Sequence, residues 1–101
     1  MADGAEPYEL GDHVGVAVQF GTPDNPLDPA QVTVNVRNPQ GQTAQLRFGA
    51  DPAVVRVAPG NYQVVLEATV PGRWNYRFVG YGRGVRAEHD GAFDVFDLGA
   101  D

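Results

Sequence analysis

A chain of 101 residues is long enough for a single domain with its own core. Its net charge of −6 argues against non-specific binding to nucleic acid or anionic lipid, which needs clustered positive charge. The sequence contains no Ser, Cys or Lys, which excludes disulfides, thiolate metal sites and the usual activated nucleophiles. It has neither a signal-peptide pattern nor a membrane-length apolar run, so we expect neither secretion nor membrane insertion.

The first half of the chain shows two alternating segments separated by a proline-rich stretch. Apolar residues at every second position are typical of a strand with one buried and one solvated face. This period predicts strands over residues 14–20 and 32–36. Residues 21–29 are rich in Pro, Asn and Asp, which predicts a loop. Residues 38–41 have the sequence of a type I turn, which should close a hairpin onto a strand over residues 44–48.

Two Pro-Gly pairs, at 59–60 and 71–72, frame the most strongly patterned part of the chain. Alternation after each pair predicts two consecutive strands, over residues 62–70 and 74–78. The second carries Trp74, the single tryptophan of the chain, and we expect its indole to lie in the core. These two strands are therefore expected to form the centre of the fold.

The remaining segments are less regular. Residues 53–57 should form a short element that crosses or edges a sheet. Glycines at 80, 82 and 84 predict a flexible turn. The last strand region, 85–96, is expected to be interrupted at His89-Asp90-Gly91.

Together these segments predict an all-β protein of about seven or eight short strands, with a turn signal every 8–12 residues. No window has a helical period. The pattern favours an antiparallel sandwich or a small barrel. We expect a flexible acidic arm over residues 1–10, one β-domain over residues 11–97, and a short tail over residues 98–101.

Catalytic and metal-binding arrangements are poorly supported by the sequence. The two histidines, His13 and His89, have no serine or cysteine to activate. Glu88 and Asp90 are close in sequence, but alternation or a turn would leave both solvated. Acidic and amide side chains of the 21–29 loop could bind Ca²⁺, but next to proline they more often shape turns. We therefore expect no enzymatic activity, no metal and no cofactor.

Protein–protein contact is the function class that the residues leave open. Tyr and Arg are favoured at interface centres, which points to Tyr81, Arg83 and Arg86 around the glycine-spaced turn. Tyr8 and Leu10 are candidate anchors in the acidic arm. A plain hairpin with solvated side chains is the alternative for the first group.

Two further arginines should share the solvated face of the Trp74 strand. Arg73 and Arg77 alternate with the apolar residues of that strand. We expect them to pair with Glu67 across the sheet, and contact with an acidic partner is the alternative.

Several motifs resemble the immunoglobulin-like β-sandwich proteins of tailed bacteriophages. The resemblance covers residues 8–96 and is carried by an entry strand, a second strand with its hairpin, a Pro-Gly-x-Trp signature and a closing strand. In this chain the motifs read Gly11-Asp12 before Val14, Leu27-Asp28-Pro29-Ala30, Asn38-Pro39-Gln40-Gly41, Gly60-Asn61-Tyr62, Pro71-Gly72-Arg73-Trp74-Asn75-Tyr76-Arg77-Phe78, and Glu88 through Gly91 to Phe93-Asp94-Val95. The 21–30 loop departs from the family pattern because it lacks an Asp-Gly turn.

The resemblance implies an immunoglobulin-like sandwich and a non-enzymatic structural role in a tailed-phage-like virion. The protein would dock on the head or the head–tail neck, in multiple copies set by virion symmetry. Its partners would be capsid, portal-connector or tail subunits, with no nucleic acid or membrane contact, and it would assemble in the host cytoplasm. The alternatives are an immunoglobulin-like adhesion or carbohydrate-binding surface module, and a bacterial accessory domain with a protein partner.

Overall fold

The computed structural model describes residues 8–82 and 84–97. Its strands are β1 (Tyr8–Glu9), β2 (His13–Gln19), β3 (Gln31–Arg37), β4 (Thr43–Arg47), β5 (Val54–Ala58), β6 (Asn61–Glu67), β7 (Gly72–Gly82) and β8 (Val85–Phe96). No helix capable of crossing a membrane occurs in this part of the chain. Residues 1–7 of the expected arm and the whole of the expected tail, residues 98–101, lie outside the described residues.

The strands form two sheets that pack as a sandwich. One sheet has the order β1-β8-β7-β3-β4, and the other has the order β2-β6-β5. All pairs are antiparallel except β1 with β8, which is parallel. This is the arrangement of an immunoglobulin-like sandwich, so the predicted fold class is confirmed.

The alternating apolar residues of both sheets meet in one core. Fourteen hydrophobic residues are buried in it: Val14, Val18, Phe20, Val32, Val34, Val36, Val54, Tyr62, Val64, Leu66, Ala68, Trp74, Phe78 and Val95. Trp74 is 6% exposed, stacks on Phe93 with ring centroids 5.7 Å apart, and donates from Nε1 to the Val70 carbonyl at 2.8 Å. Its predicted place in the core is therefore confirmed.

Strand β8 corrects one sequence prediction. The expected interruption at His89-Asp90-Gly91 does not occur, and each of these residues is paired with β7. Gly91 lies opposite Tyr76, and a Cβ atom at Gly91 would come within 2.2 Å of the Tyr76 ring. Glycine is therefore needed here because an aromatic ring from the next strand occupies the side-chain space, and the strand continues through it.

The glycines near the end of β7 also differ from expectation. Gly80 and Gly82 are strand residues and do not form a flexible turn. A Cβ at Gly80 would meet Phe20 and Pro29 at 2.7 Å, so this glycine permits close packing of the 21–30 loop against the sheet. The hairpin at residues 38–41 forms as predicted, but β4 ends at Arg47 and Phe48 is 41% exposed.

Candidate functional site

Most of the described arginines lie on one surface, the outer side of the five-stranded sheet. In β7 the side chains of Trp74 and Phe78 point into the core, so the odd-numbered residues between them point outward. Residues directly opposite in neighbouring strands share a face, and the register extends this outer surface across β8, β3 and β4. Five of the six described arginines belong to it: Arg37, Arg47, Arg73, Arg77 and Arg86. We call this surface the arginine face.

Ion pairs hold the β7–β8 half of the arginine face. Arg73 binds Asp94 through two hydrogen bonds of 3.0 and 3.1 Å. Arg77 binds Asp90 through two bonds of 2.6 and 3.2 Å and approaches Glu88 at 3.6 Å. The Arg77 guanidinium lowers the pKa of the Asp90 carboxyl by hydrogen bonding.

These pairs correct the expectation that Arg73 and Arg77 would bind Glu67. Glu67 is on β6 in the three-stranded sheet, where it lies opposite His13. The acidic partners of both arginines come from β8, the strand directly beside β7. Two sheets separated by a core cannot exchange contacts between their outer faces.

The arginines on the β3–β4 half of the arginine face differ from those on the β7–β8 half in their ion pairing. No ion pair that involves Arg37 or Arg47 forms within the described part of the chain. The strands of the face present five arginines and four carboxylates, those of Glu9, Glu88, Asp90 and Asp94. A chain with net charge −6 therefore has one cationic surface.

A groove of about 590 Å³ crosses the middle of the arginine face. Its polar lining includes three amides and two guanidinium groups as well as a carboxylate: Asn35, Arg37, Gln45, Asn75, Arg77 and Asp90. Gln45 donates to Asn35 at 3.1 Å, which holds two of the amides in fixed positions. The groove can therefore both donate to and accept from a polar ligand.

A second polar cluster lies at the other side of the sandwich. The Asp28 carboxylate accepts two bonds from Arg56, at 3.1 and 2.9 Å, one from the Gly60 amide at 2.8 Å, and one from the Tyr62 hydroxyl at 3.1 Å. The bonds from Arg56 and Gly60 hold the pKa of Asp28 well below its usual value of 3.8. Burial raises the pKa of Tyr62. These four hydrogen bonds fasten the proline-rich loop to the three-stranded sheet.

The predicted interface residues fall into two separate groups. Tyr81 lies opposite Arg86 on the arginine face, where it is 38% exposed and donates to Gln31. Arg86 is 3.3 Å from Glu88. Arg83, the third predicted residue of this turn, lies outside the described residues.

Tyr8 and Leu10 are at the opposite end of β8. Tyr8 pairs with Val95 and packs edge-on against Phe93, with 5.7 Å between ring centroids, so it is half-buried. Leu10 is 41% exposed, and its amide donates to the Phe96 carbonyl at 2.9 Å. The nine residue steps from Arg86 to Val95 span about 30 Å of strand, so the two groups cannot form a single small contact site.

Sequence reasoning did not single out Arg37 and Arg47. Each belongs to an alternating strand, but alternation alone does not show that β3, β4 and β7 are adjacent. The register of these strands is what brings their arginines onto one surface.

The two histidines do not lie together in the described structure. His13 and His89 lie in different sheets, and His89 packs against Phe20 with 5.6 Å between ring centroids. Among residues 8–82 and 84–97, no group of three or more His, Asp or Glu is placed to hold a metal ion.

Comparisons with known proteins add information about the fold. No protein-family model matches the sequence, and a search of curated proteins finds no significant match. Among solved structures, the chain is similar to part of a protein from Bacteroides vulgatus that is provisionally named a glycoside hydrolase, with a TM-score of 0.61 over 94% of this chain and 17% identity. The chain spans 17% of that protein's length. At this identity the likeness shows a shared fold alone.

Proposed function

We propose that this protein is a non-enzymatic structural component of a tailed-phage-like virion, which docks on the head or the head–tail neck through its arginine face. The observation that carries the proposal is the concentration of five of the six described arginines on one sheet surface of an acidic chain. Such charge segregation favours a partner surface of opposite sign. The partner would be a capsid, portal-connector or tail subunit that presents carboxylates.

The composition supports a binding role over turnover. The chain contains no serine, cysteine or lysine, and Glu88, Asp90 and Asp94 on the arginine face pair with arginines. Arginine gives planar, bidentate contacts with carboxylates and is enriched at interface centres. Arg37 and Arg47 are the two cations best suited to this contact, because no described carboxylate pairs with either.

The first experiment is mass spectrometry and electron microscopy of purified particles. We expect the protein at a fixed stoichiometry in mature virions, with density on the head or neck. Its absence from purified virions would overturn the virion assignment.

The second experiment tests the surface. The Arg37→Gln/Arg47→Gln variant should fold normally but lose most of its incorporation into particles. A matched control, Val55→Glu/Val57→Glu on strand β5, changes the net charge by the same amount on exposed positions of the other sheet. Equal incorporation of the two variants would show that the arginine face is not the docking surface.

The groove favours a second candidate function, binding of a glycan by an adhesion or carbohydrate-binding module. Amide and guanidinium groups in fixed positions suit the donor and acceptor hydroxyls of a sugar. Tyr76, the aromatic residue among those that line the groove, packs against Phe78 and Phe93. Glycan-array binding that is abolished by Asn35→Ala and Asn75→Ala would favour this function over docking on virion protein.

A further inference from the structure

Four sheet edges are present in the described structure, and three of them are protected against pairing with another strand. Strand β4 is short, and β5 is irregular between Arg56 and Ala58. The β8 edge is partly covered by β1, and charged residues alternate along the rest. Short strands, bulges, charges and covering segments are the usual devices that block edge-to-edge association.

Strand β2 has none of these devices. It runs for seven residues, from His13 to Gln19, pairs with β6 without a register shift, and contains no proline. It carries no Asp, Glu, Arg or Lys at any position. No described strand pairs with its other side.

The backbone groups that face this open side can be assigned from the ladder. Ala68 donates to the Asp12 carbonyl at 2.8 Å and Phe20 donates to the Gly60 carbonyl at 2.7 Å, so the even-numbered residues of β2 face β6. The amides and carbonyls of His13, Gly15, Ala17 and Gln19 therefore point away from β6. They form a row of donors and acceptors about 20 Å long.

We propose that two copies of the protein pair through β2, antiparallel, about a two-fold axis at Val16. This register places His13 opposite Gln19 of the second copy and Gly15 opposite its Ala17. Every outward-facing backbone group of β2 then has a partner, which gives about eight intermolecular hydrogen bonds. The two three-stranded sheets join into one sheet of six strands.

The side chains of β2 are complementary to themselves in this register. On the core side, Val14 lies opposite Val18 and Val16 opposite Val16, and cross-strand pairs of β-branched residues are favourable. On the outer side, the small residues Gly15 and Ala17 face each other, and the Gln63 amide group of β6 lies over Gly15. No like charges meet in this register. If two copies paired in the same way through β8, with the two-fold axis at Asp90, the two Asp90 carboxylates would lie opposite each other, which is unfavourable.

Sedimentation equilibrium and amide hydrogen exchange test the pairing on the intact chain. We expect a concentration-dependent rise from the 10.8 kDa monomer to twice that mass. The amides of Gly15, Ala17 and Gln19 should become protected as the dimer forms, whereas those of Val14, Val16 and Val18 should be protected in both states. A monomer at all concentrations, or a dimer in which the first group exchanges freely, would overturn the proposal.

Variants on the same outer face separate edge pairing from other modes of association. Ala17→Pro removes an outward-facing amide without loss of a β2–β6 hydrogen bond, and Ala17→Lys adds an edge charge; both should raise the dimer dissociation constant at least tenfold. The matched control Val65→Lys places the same charge on β6, one strand away, and should leave dimerisation unchanged. Loss of the dimer in Val65→Lys with retention in Ala17→Pro would show that the sheets associate face to face, which contradicts edge pairing.

Discussion

At the scale of single residues, Asp28 explains how the proline-rich loop is held in place. One carboxylate accepts hydrogen bonds from Arg56, Gly60 and Tyr62. Gly60 and Tyr62 are buried, so the loss of this acceptor would leave two buried donors without a partner. The three partners belong to β5, to the turn after it and to β6, so the loop is fixed to the three-stranded sheet at several points.

Asp28→Asn should lower the free energy of unfolding at pH 7 by about 1–3 kcal/mol, because a neutral amide accepts these bonds less well. Asp24→Asn in the same loop is the matched control, and its expected effect lies within about 0.5 kcal/mol of zero because Asp24 is exposed. Urea denaturation measures both. Equal losses of unfolding free energy in the two variants would contradict the stabilising role given to the Asp28 hydrogen bonds.

The same residue predicts a pH dependence. The pKa of Asp28 is lower in the folded protein than its usual 3.8, so its contribution is fully present above that value. It is lost as the pH falls through the folded pKa. The stability difference between the wild type and Asp28→Asn should therefore shrink between roughly pH 4 and pH 2. A stability difference that grows on acidification would contradict a lowered pKa of Asp28 in the folded protein.

At the scale of strands, period-two alternation was sufficient to predict β2, β3, β6 and the central part of β7. It was also sufficient for the hairpin between β3 and β4, because local turn residues define that connection. The sequence did not reveal that β8 is continuous. Gly91 looks like a break in isolation, and only the position of the Tyr76 ring explains why glycine is needed within the strand.

Gly91→Ala should destabilise the protein by about 1–3 kcal/mol, because the new methyl group overlaps the Tyr76 ring. Ala92→Val is the control, since Ala92 is exposed and lies opposite Asn75 on the other side of the sheet. In a Tyr76→Leu background the Gly91→Ala cost should fall, because the shorter side chain vacates the contact. Thermal denaturation of the double-mutant cycle measures this coupling, and strictly additive effects would contradict it.

At the scale of the whole molecule, the two outer faces of the sandwich differ in charge. The outer face of the five-stranded sheet carries five arginines, whereas the outer face of the three-stranded sheet presents Gly15, Ala17, Val55, Gln63 and Val65 along its centre. Neither surface could be recognised from the sequence, because each is assembled from strands distant in the chain. Their adjacency depends on sheet order, which alternation does not encode.

This difference predicts opposite responses to salt. Docking of the arginine face on an acidic partner should weaken when NaCl is raised from about 0.05 M to about 0.5 M, because screening reduces attraction between exposed charges. Pairing of two copies through β2 should strengthen over the same range, because each copy carries a net charge of −6 and screening reduces their repulsion. Titrations of particle binding and of dimer mass measure the two trends. If both moved in the same direction, one of the two surfaces would be wrongly assigned.

The parallel contact between β1 and β8 determines how the domain would respond to mechanical force. Tyr8 lies beside Val95 and Glu9 beside Phe96, so the two ends of the domain are neighbours that point in the same strand direction. Tension applied to the chain before Tyr8 and after Phe96 would pull these strands past each other along their length. The Leu10–Phe96 hydrogen bond and its neighbours in the ladder would then be strained together and not one after another. A domain anchored at both ends would therefore be loaded in shear, and the short β1–β8 pairing would be the first contact to break.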